Sequence, residues 1–65
     1  MQVYVVTDCD ECIGVSLSKD GAMVIIKDIV NRDLYEQDFG GGWYWYSDYK
    51  GGDILFKIQA MEVGP

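Results

Sequence analysis

Two cysteines separated by two residues, Cys9 and Cys12, form the one recognisable chemical motif of this chain. A CxxC pair is reactive when a helix N-terminus or nearby positive charge stabilises its thiolate. Here Asp8, Asp10 and Glu11 surround the sulfur atoms and disfavour a further negative charge. A structural zinc site takes about four ligands, and the chain has two cysteines and no histidine. We therefore expect unreactive thiols in a turn, with a regulatory disulfide and a metal site as the alternatives.

Carboxylates are the most abundant chemical groups: eleven acids face five bases, which gives a net charge of −6. A pair of carboxylates can hydrolyse glycosides within a cleft, but a chain of 65 residues rarely forms one. The sequence contains no DxDxDG calcium loop. An acidic surface on the last part of the chain is predicted to contact a partner, with a solvated sheet edge as the alternative. Its members are Asp33, Glu36, Asp38, Asp48 and Asp53.

Aromatic residues crowd the segment 43–49, in which five of seven positions are aromatic. On a strand, Trp43 and Trp45 share one face, while Tyr44 and Tyr46 share the other. Only one of these faces can pack beneath a helix, so the other is an exposed patch of residue types that protein interfaces favour. We assign Tyr44 and Tyr46 to the partner-binding surface, and core packing is the alternative interpretation.

Several functional classes are disfavoured by the same composition. Stacking on single-stranded nucleic acid requires a positive groove, and binding of phosphates or of anionic membranes requires Lys and Arg. The glycines form no G-x-G-x-x-G or Walker pattern after a strand. We therefore expect no catalytic residues, no cofactor, no bound metal and no direct contact with nucleic acid or membrane.

The segment 18–31 is predicted to be the helix around which the rest of the chain is arranged. Ser18 is a natural N-cap, and Asn31 tolerates the left-handed conformation that ends many helices. A buried strand is the alternative, because residues 24–26 include β-branched side chains. The helix is favoured because apolar residues recur with a 3.6-residue period at Ala22, Ile25, Ile26, Ile29 and Val30.

Strands are predicted at residues 2–7, 12–17, 33–39, 43–49 and 54–63. The segment 33–39 is ambiguous, because Leu34 continues the apolar stripe of the helix. The order is ββαβββ: a hairpin, a helix and a three-stranded meander. We predict one domain over residues 1–65, a two-layer α+β fold with the helix on a mostly antiparallel sheet. On the last strand, the apolar face consists of Ile54, Phe56, Ile58 and Ala60.

The sequence also indicates where in the cell the protein is located. The sequence has no apolar run near the roughly 20 residues of a transmembrane helix. Its N-terminus lacks the basic region and the cleavage site of a signal peptide, and two cysteines are too few for a secreted disulfide scaffold. We expect a cytoplasmic protein.

The overall profile resembles the small acidic phage-encoded anti-CRISPR proteins, particularly those that act on type I surveillance complexes, and a type I-C inhibitor fits. The resemblance rests on length, acidity, one helix against a small sheet and the absence of catalytic residues, and it includes no shared motif. It implies a non-enzymatic inhibitor that acts in the host cytoplasm. Such a protein occludes the basic surface at which its target binds DNA, with carboxylates in place of phosphates.

The hypothesis from the sequence is thus an inhibitor that binds a nucleic-acid-handling protein complex through acidic and aromatic surface. One alternative is a small thiol-redox or metal-binding protein that uses Cys9 and Cys12. Another is a phage or plasmid accessory module with a structural role. Both a monomer and a homodimer are compatible with the sequence, because an uncovered aromatic face can pair with itself.

Overall fold

The computed structural model describes residues 1–9 and 11–64, so the predicted position of Asp10 beside the two thiols lies outside the described residues. Within them, five strands and one helix follow in the predicted order ββαβββ. The elements are β1 (Gln2–Asp8), β2 (Glu11–Ser16), α1 (Lys19–Val30), β3 (Tyr35–Gly40), β4 (Trp43–Ser47) and β5 (Ile54–Glu62). This arrangement confirms the α+β fold class.

All strands belong to one sheet with the spatial order β2-β1-β5-β4-β3, and every neighbouring pair is antiparallel. The predicted hairpin (β1–β2) and meander (β3–β5) are both present. They are joined because β5 pairs with β1, from Gln2 opposite Glu62 to Thr7 opposite Lys57. This pairing of the two ends of the chain makes β5 the central strand.

The helix begins and ends at the predicted caps. Ser18 Oγ accepts a hydrogen bond from the N–H of Gly21 at 3.0 Å. Asn31 adopts a left-handed conformation with φ 53°, and its N–H donates to the carbonyl oxygen of Lys27 at 2.7 Å. Helix α1 has 12 residues, and no helix in the described residues is long and apolar enough to cross a membrane.

The predicted apolar stripe of the helix is only partly buried. Ala22 and Ile26 are buried in the core, but Ile29 is 56% exposed. Met23, which is outside the predicted stripe, packs against the core. The backbone of the helix lies close to β1, β2 and β5, and its first residue, Lys19, reaches β3 and β4 through its side chain. The stripe is therefore wider than the surface it covers, and its margin at Ile29 stays in solvent.

The core lies between the helix and the middle of the sheet, and it consists of Val6, Ala22, Ile26, Tyr46, Phe56 and Ile58. Glycines allow the helix to approach β2 closely. A Cβ atom on Gly21 would lie 2.0 Å from Ser16 Oγ, and one on Gly14 would lie 2.8 Å from Ile25 Cδ1. The absence of a side chain at Gly21 therefore permits close contact between the helix and the sheet.

Strand boundaries differ from the prediction where tertiary contacts intervene. β3 begins at Tyr35 rather than at the predicted residue 33, and the preceding Leu34 packs against the core. β4 ends at Ser47, whose hydroxyl donates to the carbonyl oxygen of Tyr49 at 2.8 Å. The register shifts at this point, and Leu55, rather than the predicted Ile54, packs against the core.

Candidate interaction surfaces

The sheet has two sides that differ in what covers them. We call the side on which α1 packs the helix side, and the opposite side the open face. Cross-strand partners point to the same side of a sheet. The row Val6–Ile58–Tyr44 therefore lies on the helix side, and the row Thr7–Lys57–Trp45 lies on the open face.

The carboxylates of the strands are confined to one of these sides. In the described strands there are five, and each lies at a helix-side position: Asp8, Glu11, Glu36, Asp38 and Glu62. Glu36 is opposite Tyr46 and Asp38 is opposite Tyr44, for example. Lys57 is the only basic residue in the same strands, and it lies on the open face. The sheet is thus acidic on the helix side and free of strand carboxylates on the open face.

A second asymmetry runs along the strands. Because all pairs are antiparallel, the ends of β1 and β4 and the starts of β2, β3 and β5 meet at one end of the sheet. We call this end the acidic end, and its carboxylates are Asp8, Glu11, Asp33, Asp48 and Asp53. The fold therefore brings together three of the predicted partner-binding acids, Asp33, Asp48 and Asp53. Asp38 lies farther along β3, towards the other end.

Basic residues neutralise part of the acidic end. Lys27 Nζ lies 3.1 Å from Asp33 Oδ1, and the guanidinium group of Arg32 donates to Asp48 Oδ1. Asp8, Glu11 and Asp53 have no ion pair among the described residues. The latter three carboxylates are accordingly the ones at this end that no basic side chain of the described residues pairs with.

Glu36 stabilises the fold through contacts with two residues of the same chain. Its Oε1 atom accepts a hydrogen bond from the buried Tyr46 hydroxyl at 2.7 Å and lies 2.8 Å from Lys19 Nζ. Partial burial alone would raise the pKa of Glu36, but the hydrogen bonds from Lys19 and Tyr46 outweigh it and lower that pKa. The same contact raises the pKa of Lys19 despite its desolvation. Burial, followed by the hydrogen bond to Glu36, raises the pKa of Tyr46.

The assignment of Tyr46 to the partner-binding surface is wrong for the folded chain, because its side chain is fully buried. Tyr44 is half-buried, and Lys19 Nζ lies 4.1 Å from the centre of its ring. The tyrosine face of β4 is the one that points to the helix side. The tryptophan face points the other way, and Trp43 is 40% exposed.

The open face is apolar and aromatic. Phe39 packs on Trp45 with 4.5 Å between ring centres, and Lys57 Nζ lies 4.9 Å above the Trp45 ring. The indole N–H of Trp45 is buried and has no hydrogen-bond partner among the described residues. Trp43 completes a shallow depression with these three side chains. Because a buried donor without a partner costs free energy, the indole N–H of Trp45 lowers the stability that burial of its ring provides.

Cys9 lies in the turn after β1, Cys12 is the second residue of β2, and both are exposed. Cys9 has a left-handed backbone, with φ 49°. The Sγ atom of Cys12 lies 3.8 Å from the carbonyl oxygen of Gly14. Among residues 1–9 and 11–64, no three His, Cys, Asp or Glu side chains are grouped closely enough to hold a metal ion.

The prediction from sequence omitted residues that the geometry makes important. Asp8 and Glu11 were considered only for their effect on the thiols, although antiparallel pairing of β1, β2 and β5 puts them at the same end as Asp53. Lys19 lies outside the predicted apolar stripe of the helix, and no local signal connects it with Glu36. Comparison of the chain with protein families, with curated proteins and with solved structures finds no match.

Proposed function

We propose that the protein is a non-catalytic inhibitor that binds a nucleic-acid-handling protein and occupies its basic surface in place of DNA. The proposed target is a CRISPR surveillance complex of type I, in the bacterial cytoplasm. The observation that carries the proposal is the placement of the carboxylates. Those of the strands lie on one side of the sheet, and loop carboxylates join Asp8 and Glu11 at one end, where Asp8, Glu11 and Asp53 have no ion pair among the described residues.

This placement matters because DNA-binding grooves present Lys and Arg to phosphates. A cluster of carboxylates is steered towards such a groove by an attraction that salt screens. The uncompensated charge of the acidic end is therefore suited to a basic partner. The open face, which has no strand carboxylate, is unsuited to one.

The dimensions limit how much DNA the protein can replace. Its longest extent is 38 Å, a length over which duplex DNA carries about 22 phosphate charges. The chain has eleven acids, and part of them are ion-paired. The protein therefore imitates a short stretch, of the size that a groove recognising a few base pairs contacts.

The roles of the predicted residues follow from their environment. Asp8, Glu11 and Asp53 are proposed as the main contacts, with Asp33 and Asp48 contributing what Lys27 and Arg32 leave available. Glu36 acts by holding Lys19 and Tyr46, and Asp38 accepts from the N–H of Gly40 at 2.8 Å. Binding is proposed to depend little on Glu36 and Asp38 once the fold is intact.

The test uses a purified type I-C surveillance complex with its guide RNA and measures its binding of target duplex. We expect the protein to lower duplex binding, and its own affinity for the complex to fall steeply between about 50 mM and 300 mM salt. An Asp8→Asn, Glu11→Gln, Asp53→Asn variant should bind roughly tenfold to hundredfold more weakly, because each lost contact is at a basic interface.

The matched control removes the same three charges elsewhere, with Asp20→Asn, Asp38→Asn and Glu62→Gln. It should weaken binding only a few-fold, since net charge then affects steering without removing a contact. Equal losses in the two variants would show that total charge, and not the acidic end, determines binding. Unchanged binding of target duplex in the presence of excess protein would refute the proposed inhibition.

A further inference from the structure

We propose that the open face is a dimer interface, at which two copies of this chain pack sheet against sheet. The apolar side chains on this face come from all five strands and include Val3, Val15, Phe39, Trp43, Trp45 and Met61. Several are well exposed: Val15 is 56%, Phe39 is 49% and Met61 is 44% exposed. Contiguous apolar patches of this kind are rare on monomeric soluble proteins and mark interaction sites.

The distribution of charge indicates that the partner at the open face is a second copy of the chain. A basic partner would find no strand carboxylate on this face, and an acidic partner would find one cation, Lys57, which already lies over its own Trp45. A second copy has a net charge of −6 and is repelled by most of the surface. The open face is the region where two copies meet with the fewest carboxylates opposed.

The size of the face is sufficient for a specific but modest interface. Five strands spaced by about 4.8 Å and six residues of about 3.3 Å each give a face of about 24 by 20 Å. Two copies then bury on the order of 1,000 Å² in total, near the lower limit of specific interfaces. Sheets that pack face to face interdigitate their side chains across about 10 Å, a distance that Trp43 and Met61 can fill.

Salt should affect this contact and the proposed binding of a basic partner in opposite directions. Screening weakens the attraction between the acidic end and a basic groove. It also weakens the repulsion between two copies of charge −6, so the dimer should become tighter as salt rises. The dimer proposal does not rest on the proposed function, and the sign of the salt effect distinguishes the two.

The experiment is sedimentation equilibrium of the full chain from about 1 µM to about 1 mM, together with tryptophan fluorescence. Both tryptophans lie on the open face, so association should shift their emission to the blue over the same range in which the mass rises from 7.3 kDa to twice that value. A mass that stays at 7.3 kDa over the whole range, with unshifted emission, overturns the proposal.

Two valines of nearly equal exposure provide a matched pair of variants. Val15 on the open face is 56% exposed, and Val24 on the outer surface of the helix is 58% exposed. Val15→Glu should raise the dissociation constant of the dimer by at least about tenfold, because it places a carboxylate in a desolvated interface. Val24→Glu should leave the constant within about twofold, because it changes the charge by the same amount outside the interface.

A second variant guards against an effect on folding. Gln59 is half-buried on β5 between Val5 and Trp43, and Gln59→Glu changes its charge but hardly its shape. It should weaken the dimer as strongly as Val15→Glu while the circular dichroism spectrum stays unchanged. Dimers of wild-type strength in both Val15→Glu and Gln59→Glu would exclude the open face as the interface.

Discussion

The helix side and the open face of the sheet have similar numbers of aromatic side chains but use them in opposite ways. On the helix side, Tyr46 is fully buried and its hydroxyl is paired with Glu36. On the open face, Trp43 is 40% exposed, and the indole N–H of Trp45 has no partner in residues 1–9 and 11–64. The comparison shows that residue type alone does not decide whether an aromatic side chain stabilises the monomer. Coverage by the helix decides it.

The largest expected difference between the two sides is in the free energy of unfolding when an aromatic side chain is removed. Tyr46 and Trp43, which lie three residues apart on β4, provide the comparison. Tyr46→Ala should lower the free energy of unfolding by about 3–5 kcal/mol, because it leaves a cavity beneath the helix. Trp43→Ala should cost less than about half as much, since part of that side chain is already in water. Urea denaturation at low protein concentration measures both, and equal losses would mean that the open face contributes as much to the core as the helix side does.

A smaller effect isolates the polar contact under the helix. Tyr46→Phe keeps the ring and removes the hydroxyl that donates to Glu36 Oε1. We expect a loss of about 1.5 kcal/mol, as is usual for a partly buried hydrogen bond to a charged group. Tyr44→Phe is the control, because among the described residues the Tyr44 hydroxyl does not donate to Glu36. The stability of this variant should stay close to that of the wild type.

The pH dependence of unfolding should also reflect the helix side. The folded pKa of Glu36 is lowered, so its stabilisation is present above its usual pKa of about 4.3 and is lost as pH falls through the folded value. The loss should be on the order of 1 kcal/mol or less, because the side chain is partly exposed to solvent. Glu36→Gln should flatten this acid limb in urea titrations at successive pH values, whereas Gln37→Glu, on the open face, should not.

The decrease in stability expected at alkaline pH arises from the same contacts on the helix side. The pKa of Tyr46 and that of Lys19 are both raised in the folded chain. Lys19 therefore loses its contribution as pH rises through its folded pKa, and the unfolded chain releases the Tyr46 proton from about pH 10 upward while the folded chain retains it. Stability should decline above that pH, and Tyr46→Phe should decline less.

The smallest expected effect is on the open face. Lys57→Gln removes the cation above Trp45 and should cost about 0.5 kcal/mol, the value of an exposed cation–π contact. The same urea titrations measure it, with Lys50→Gln in the turn before β5 as the control. A loss above about 2 kcal/mol would indicate that Lys57 is desolvated and that the open face is more enclosed than described.

Much of the fold was predictable because its signals are local. The period of the apolar residues, the hydroxyl of Ser18 and the left-handed tolerance of Asn31 delimit the helix without reference to the rest of the chain. The alternation along β4 correctly separates the tryptophans from the tyrosines. The glycines between β3 and β4 and before β5 mark the turns, and Gly51 has the positive φ of 80° that such a turn requires.

The candidate site was less predictable, because its contacts join distant residues. Arg32 pairs with Asp48 and Lys19 pairs with Glu36, and in each case the partners belong to segments whose approach depends on the whole fold. The prediction of an acidic surface included Glu36, whose charge is occupied internally, and it omitted Asp8 and Glu11. Both differences follow from strand order, which no single segment of the sequence encodes.

The sequence by itself determined the elements of this protein, their order and the two chemically distinct faces of each strand, because these depend on the backbone preferences of neighbouring residues. Only the tertiary structure decided which face of β4 the helix covers, that β5 joins β1 at the centre of the sheet, and which carboxylates keep their charge for a partner. Those outcomes depend on the packing of side chains that are far apart in the chain, and a periodic pattern is the same whichever side becomes buried.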